Sequence, residues 1–474
     1  MKFALVIFCY LFILFLVGLY LARKVKSGEQ FMIAGRSLGT PVLVFTLLAT
    51  WIGSGDIFST SDLTYNHGYS SLIGSAGGWV GIIIVFWIAG RVRRFGQFTV
   101  PDILEARFDH RARLLATVTT IIAYVTIVSY QFRGGGWLIN IITEGRIDIP
   151  TGIIITAVFV IAYTMLAGML SVAYLDLING IVILAGLFIS IPFLIDFAGG
   201  VEKIAANATP REDFILGNMS FMQAAGYFIP LLLLALANGN MYQRFFSAKD
   251  EKSARSSVIG WVIGVIIIGV CLQSIALIGS SVFKGLSAEQ SGKIIILTAF
   301  KGLPTVVAAI MLAAVAAIIV STANSFLLVP ATNIVRDIYQ RFINPKVSDR
   351  RALLLSRASV IALGITAYIL IQFYPRILHA AFAAYTVYGA AITPALMATF
   401  FWKRATVAGG VWSIAGGMLV TVLWEITGRT KDVAHLFGIP AIYPALATSI
   451  LLLIVVSLAG EKPPERKIKP FFNR

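Results

Sequence analysis

Leu47-Leu48-Ala49-Thr50-Trp51-Ile52-Gly53-Ser54-Gly55-Asp56-Ile57 is the stretch on which the reading of this chain turns. It lies inside an apolar run, 41–62, long enough to cross a bilayer as one helix. Two glycines and a carboxylate sit near the middle of that run. A charge at that depth is costly and marks function by default. Lipid tolerates unwound backbone only where it faces protein or a wet cavity. The stretch therefore predicts a broken transmembrane helix with its break turned inward.

Working outward, twelve further apolar runs appear, at 2–22, 71–90, 113–141, 150–169, 174–196, 220–243, 257–281, 303–335, 353–373, 377–401, 406–427 and 441–459. Composition agrees: 58% of the 474 residues are hydrophobic, 13% are charged, and the mean hydropathy is +0.87. A soluble domain would carry about a quarter charged residues. The fold class is an all-α polytopic membrane protein of about thirteen transmembrane helices. The first run is too long, and lacks the small-residue site, for a cleaved signal peptide.

The formal net charge of +16 could suggest nucleic acid, but the placement of the charges argues otherwise. With the first helix starting outside, the inner loops at 23–36, 91–113, 244–255, 336–357 and 403–404, plus the tail, hold 27 of the 38 Lys and Arg. That asymmetry predicts the N-terminus outside and the C-terminus in the cytoplasm, in a cell membrane. The basic residues set topology and touch anionic lipid. Nucleic acid is not expected as a partner. Cys9 and Cys271 both fall inside spans, so no disulfide framework is expected. His67, His110, His379 and His435 show no ligand spacing.

A second interruption ends the seventh run: Ala235-Leu236-Ala237-Asn238-Gly239-Asn240-Met241-Tyr242-Gln243-Arg244. Glycine in a membrane helix often serves close packing alone. Two interrupted spans five helices apart, one with a carboxylate, point instead to inverted repeats. The repeats are then helices two to six (41–196) and seven to eleven (220–401). Residues 1–40 form an extra helix and inner loop, and 402–474 two added helices and a basic tail.

Several polar side chains in these spans have two readings. Asp56 either caps the second half-helix or faces the cavity as a ligand for a cation or a solute donor. Arg133, in Ser129-Tyr130-Gln131-Phe132-Arg133-Gly134-Gly135-Gly136-Trp137, either grips a carboxylate or makes a structural pair or snorkels. Gly53 and Asn240 flank the two breaks and join Asp56 and Arg133 as candidate solute ligands. Ser321 and Thr322, in Ile318-Ile319-Val320-Ser321-Thr322-Ala323-Asn324-Ser325, offer hydroxyls to a hard cation, or bond back to their own helix. Asp176, at the start of helix six, is either a helix-start charge or part of an inner gate or coupling element.

Four segments in order resemble the sodium/solute symporter family, which includes proline, pantothenate and glucose symporters. Phe31-Met32-Ile33-Ala34-Gly35-Arg36-Ser37-Leu38-Gly39 is similar to its Ala-Gly-Arg segment. Ala167-Gly168-Met169-Leu170-Ser171-Val172-Ala173-Tyr174-Leu175-Asp176 is similar to its signature. Gln243-Arg244-Phe245-Phe246-Ser247-Ala248-Lys249-Asp250 and the Ser321-Thr322 pair match two more motifs. The resemblance implies the leucine-transporter fold. It also implies a sodium site between helices two and nine, built from the carbonyls of Ala49, Ile52 and Ile318 and the hydroxyls of Ser321 and Thr322. Here Ala167 replaces a glycine, Leu175 a threonine, and Gly55-Asp56 the Glu-Gln pair of the glucose members, which disfavours a sugar.

The expectation is sodium-coupled symport of a small polar solute by alternating access, the solute being a proline-like amino acid or a monocarboxylate. The rivals are proton coupling on the same fold and a non-transporting sensor or scaffold. No catalytic cluster or cofactor motif suggests an enzyme, and sodium is the only ion expected.

Overall fold

The computed structural model describes residues 2–23, 28–208, 219–374, 376–429 and 439–472. Of the basic residues assigned to the inner face, Lys24, Lys26 and Arg474 lie outside these. The described residues are helical apart from short connections and one isolated bridge between Leu38 and Ala248. In chain order the main helices are α1 (Lys2–Ala22), α2 (Thr40–Trp51), α3 (Ser54–His67), α4 (Leu72–Phe95), α5 (Val100–Arg107), α6 (His110–Ile142) and α7 (Ile149–Phe197). There follow α8 (Phe221–Ala237), α9 (Gly239–Ser247), α10 (Glu251–Val282), α11 (Thr305–Asn333), α12 (Asp349–Leu370), α13 (Ile377–Phe401), α14 (Val407–Arg429), α15 (Ile442–Ala459) and α16 (Glu465–Phe472). Among the described residues twelve helical stretches are long and apolar enough to cross a membrane, and α2 is a shorter apolar helix. Together they account for the thirteen runs, with α2 and α3 as halves of the second.

Both expected breaks are present, and each is held open in the same way. A continuous helix would bond the Gly53 N–H to the Ala49 carbonyl four residues back. The Gly53 N–H instead donates to Asp56 Oδ2 at 2.8 Å. Ala49 and its neighbours are left with carbonyls that need another donor. In the second break, Asn238 leaves the helix at ψ 112° and its Oδ1 accepts the Asn240 N–H at 2.9 Å, starting α9. The carbonyls stranded at the end of α8 are met by hydroxyls, Tyr388 to Ala237 at 2.8 Å and Tyr242 to Leu236 at 2.9 Å.

Helix α11 is the central post, buried without interruption from Met311 to Asn333. A helix apolar on all sides belongs in such a core. The fifth and sixth spans run on as a single kinked helix, α7, bent at Gly168, where φ is +63° and a side chain would meet the Phe31 ring at 2.7 Å. The segment after α1 is tied to the end of α9: Leu38 N–H donates to Ser247 O at 3.0 Å and Lys249 N–H to Leu38 O at 2.9 Å. Two of the family-like motifs therefore pack against each other.

Candidate functional site

The carbonyls freed at the α2 break meet the hydroxyls of α11. Thr322 Oγ1 donates to Ile52 O at 2.6 Å and lies 3.2 Å from Ala49 O. Ser321 Oγ lies 2.8 Å from Ala49 O. Ile318 is buried one turn before Thr322 on the same helix. Four of the five expected oxygen donors thus converge within hydrogen-bond reach, all buried, on the face where α11 crosses the break. Oxygen ligands without a formal charge suit a hard monovalent cation.

Asp176 joins this cluster directly. Its Oδ1 accepts from Ser321 Oγ at 2.6 Å and its Oδ2 from Thr46 Oγ1 at 2.6 Å. Arg244, fully buried, reaches Asp176 Oδ2 at 3.4 Å. The same guanidinium donates to Ser325 Oγ at 2.7 Å, to the Thr50 hydroxyl and, through Nη1, to the Asn240 carbonyl at 3.2 Å. It therefore binds both broken helices to α11. Charge counting placed Arg244 and Arg113 in inner loops. In the structure both are buried and ion-paired, on α9 and at the start of α6.

On the other side of the break is a cavity of about 10 Å³, lined by Trp51, Gly53, Asp56, Tyr130, Gln131 and Asn238 among others. It is too small for an organic solute, so entry requires its walls to part. Gly53 is needed for close approach here: a Cβ would sit 2.7 Å from Gln131 Nε2 and 3.0 Å from Thr322 Cγ2. Asp56 caps α3 and also lines the cavity, so capping does not turn it away from that space. Gln131 Oε1 accepts from Ser54 N–H at 2.9 Å, while its Nε2 is buried without a partner. Asn238 Nδ2 is likewise buried and unpartnered. Tyr130 and Tyr385 hydroxyls lie 3.1 Å apart at the cavity edge.

Two expected solute ligands are placed elsewhere. Arg133 donates through Nη2 to the Ile371 carbonyl at 2.8 Å and does not line the cavity. Residues two apart on a helix point to different faces, and it is Gln131 that faces the break. Asn240 is buried with both side-chain polar atoms unpartnered, but the cavity is lined by Asn238 instead. Gln131 and Asn238 stand in stretches quoted above, and the signal for both was an amide in an apolar run. Tyr385 gave none.

A separate cavity of about 380 Å³ lies at the end where α8 begins. Phe382 lines it and stacks edge-on with Tyr227 at 5.1 Å and with Tyr385 at 5.6 Å. Beyond the cavity, Tyr124 and Tyr388 stack at 5.1 Å, and Tyr124 OH donates to Asn238 Oδ1 at 3.0 Å. Past them is a second small cavity where Gln243 Oε1 and Asn333 Oδ1 are unpartnered. Below it, Arg113 bonds Asp337 Oδ1 at 2.6 Å, Asp102 Oδ1 at 2.6 Å and Glu105 Oε2 at 2.5 Å, and Arg341 bonds Glu105 at 2.7 Å.

The profile of the sodium:solute symporter family matches residues 31–417. The osmoregulated proline transporter OpuE of Bacillus subtilis is 24% identical over 481 aligned residues, spanning 98% of this chain and 96% of the relative. The high-affinity proline transporter PutP of the same organism is 26% identical over 478, spanning 95% and 96%. A sodium/proline symporter of Staphylococcus aureus is 26% identical over 481, spanning 96% and 92%. Among solved structures, a Na+-coupled sialic acid symporter superposes with a TM-score of 0.81 at 18% identity, covering 98% of both chains. A nucleobase-cation-symport-1 family transporter in a closed conformation gives 0.65 at 13% identity, covering 93% and 97%. These neighbours carry the leucine-transporter fold. Two broken helices packed on α11, the hydroxyl pair at the break and the profile match over most of the chain lead to one placement: this protein belongs to the sodium:solute symporter family.

Proposed function

We propose that this chain carries a small zwitterionic amino acid, of the proline class, across the cell membrane together with sodium. The observation that carries the ion site is the meeting of the Thr322 and Ser321 hydroxyls with the Ala49 and Ile52 carbonyls at the α2 break. In this reading a sodium ion replaces the Thr322-to-Ile52 hydrogen bond with direct oxygen contacts to both hydroxyls and both carbonyls, with the Ile318 carbonyl as fifth ligand. Asp176 fixes the rotation of the Ser321 hydroxyl.

The solute lies against the same break. Asp56 suits an ammonium group, and the free N–H groups of Gln131 and Asn238 suit a carboxylate. Amide donors thus take the role expected of Arg133. Proline relatives and the departure from the glucose pattern both favour an amino acid. The Tyr227–Phe382–Tyr385 stack serves as the outer barrier and the Tyr124–Tyr388 stack as the inner one. Sodium and solute share the wall formed by Gly53 and Thr322, so each favours the other's binding, as coupling requires. Residues 41–196 and 220–401 form the two repeats, and the basic face lies in the cytoplasm.

The test is uptake of labelled L-proline by purified protein in liposomes under an inward sodium gradient, beside Ser321→Ala/Thr322→Ala. The reading expects sodium-driven uptake that the double variant loses. Uptake driven by a proton gradient and indifferent to sodium would overturn the coupling assignment. Sodium-driven uptake of monocarboxylates but not of proline would overturn the solute.

A further inference from the structure

At the basic face of the protein, a groove of about 1130 Å³ runs between α4, the start of α10, the end of α13 and the C-terminal helix α16. Its floor is aromatic. Trp87 and Phe401 line it and are 57% and 55% exposed. Phe471 closes one end, stacked on Phe95 at 4.8 Å and edge-on to Phe400 at 5.9 Å. Its rim is cationic. Arg91 stands one turn beyond Trp87 on α4, and Lys252 and Arg255 share a face of α10. Among the described residues that line it one is acidic, Glu251, and it is taken up by Arg94 at 2.7 Å. The Arg255 guanidinium lies over the Phe86 ring at 4.3 Å from its centre, which holds the charge at the groove without neutralising it.

We propose that this groove binds an anionic phospholipid, with its phosphate among Arg91, Lys252 and Arg255 and its acyl chain along Trp87 and Phe401. The two halves of the groove require the two halves of one ligand. A soluble phosphate would gain nothing from exposed aromatic surface at a membrane face. A zwitterionic phospholipid would bring its own cation and leave the rim underused. A bound lipid also spans elements that contribute differently to transport: α4 and α10 flank the broken helices, whereas α13 carries Tyr385 and Tyr388. The C-terminal helix is the groove's outer wall, so the lipid holds it in place.

The orientation proposed above decides only which leaflet supplies the lipid. Lipid binding by purified protein is read without transport, so it stands or falls separately from sodium coupling. Delipidated protein in detergent is titrated with phosphatidylglycerol, phosphatidylcholine or inorganic phosphate, and bound adducts are counted by native mass spectrometry. The wild type should retain phosphatidylglycerol in preference to the other two. Arg91→Gln/Lys252→Gln/Arg255→Gln should weaken that retention on the order of 100-fold, from about 1 kcal/mol per basic side chain. Lys252→Gln alone, at an exposed position that the fold does not need, should weaken it about fivefold. Unchanged retention in either variant, equal retention of phosphatidylcholine, or inorganic phosphate binding as tightly as the lipid would each overturn the proposal.

Discussion

Ser321 donates its hydroxyl proton to Asp176 across 2.6 Å, while the same oxygen lies 2.8 Å from the Ala49 carbonyl. A serine has one proton to give. A carboxylate is the stronger acceptor, so the proton is directed to Asp176 and the lone pairs of Oγ turn toward the break. That is the orientation a cation needs. Asp176 thus acts on the proposed ion site through Ser321, and on the second broken helix through Arg244, whose Nη1 holds the Asn240 carbonyl.

Removing one partner of a buried ion pair leaves the other charge without compensation, at about 3–5 kcal/mol. Asp176→Asn should therefore lower the thermal midpoint of the purified protein and raise the sodium concentration for half-maximal uptake. Adding Arg244→Gln should recover part of the stability, because the two changes share one interaction. Thermal unfolding of both singles and the double closes the cycle. Strict additivity would mean that the pair is not coupled in the way described.

Gly53→Ala tests the close approach at the break. The added methyl would sit 2.7 Å from Gln131 Nε2 and 3.0 Å from Thr322 Cγ2. Overpacking of this kind costs about 1–3 kcal/mol. The half-saturating concentrations of both sodium and solute should rise, since the methyl pushes on a ligand from each site. Gly39→Ala is the control: nothing lies within 4 Å of its Cβ position, and uptake should be unchanged.

Gln131→Leu and Arg133→Ala separate two side chains that sequence spacing places side by side. Gln131 lines the cavity with an unpartnered amide N–H, so its loss should raise the solute KM by about tenfold, the scale of one hydrogen bond to a charged group. Arg133 is bonded to the Ile371 carbonyl, and its loss should cost about 1 kcal/mol of stability with KM little changed. A large KM effect confined to Arg133→Ala would reverse the assignment.

The fold was legible because lipid punishes irregularity. Gly53, Asp56, Asn238 and Gly239 stand out in apolar runs, and the structure puts a break at each place. The hydroxyls of Ser321 and Thr322 were legible from their shared helical face and from the family-like motif, and the structure brings both to the carbonyls at the break. What the sequence concealed was direction. Gln131 and Arg133 differ by two positions, and only packing decides which faces inward. Arg244 reads as one more basic residue near a loop until α9 carries it into the bundle. Tyr385 and Tyr388 look like ordinary core aromatics, because their hydroxyl partners come from helices far away in sequence.

Glu105 offers a pH test of the cluster below the inner cavity. Burial opposes its charge, but hydrogen bonds from Arg341 and Arg113 outweigh that and hold its carboxyl below the ordinary glutamate value. A depressed folded-state value contributes stability above the unfolded one, near pH ~4.3, and the contribution fades as the pH falls through the folded value. Asp102 and Asp337 face the same Arg113, and Lys467 donates to the Glu105 carbonyl at 3.2 Å, so the cluster binds α5, α6, the segment after α11 and the C-terminal helix. Glu105→Gln should lower the thermal midpoint at pH 7 and narrow the gap to wild type below about pH 4. Curves that stay parallel throughout would show that Glu105 does not stabilise the cluster through its charge. In the proposed transport cycle this cluster lies between the second cavity and the basic face, so Glu105→Gln should also make that cavity more accessible. A cysteine introduced at Asn333 should then label faster from that side in the variant than in the parent.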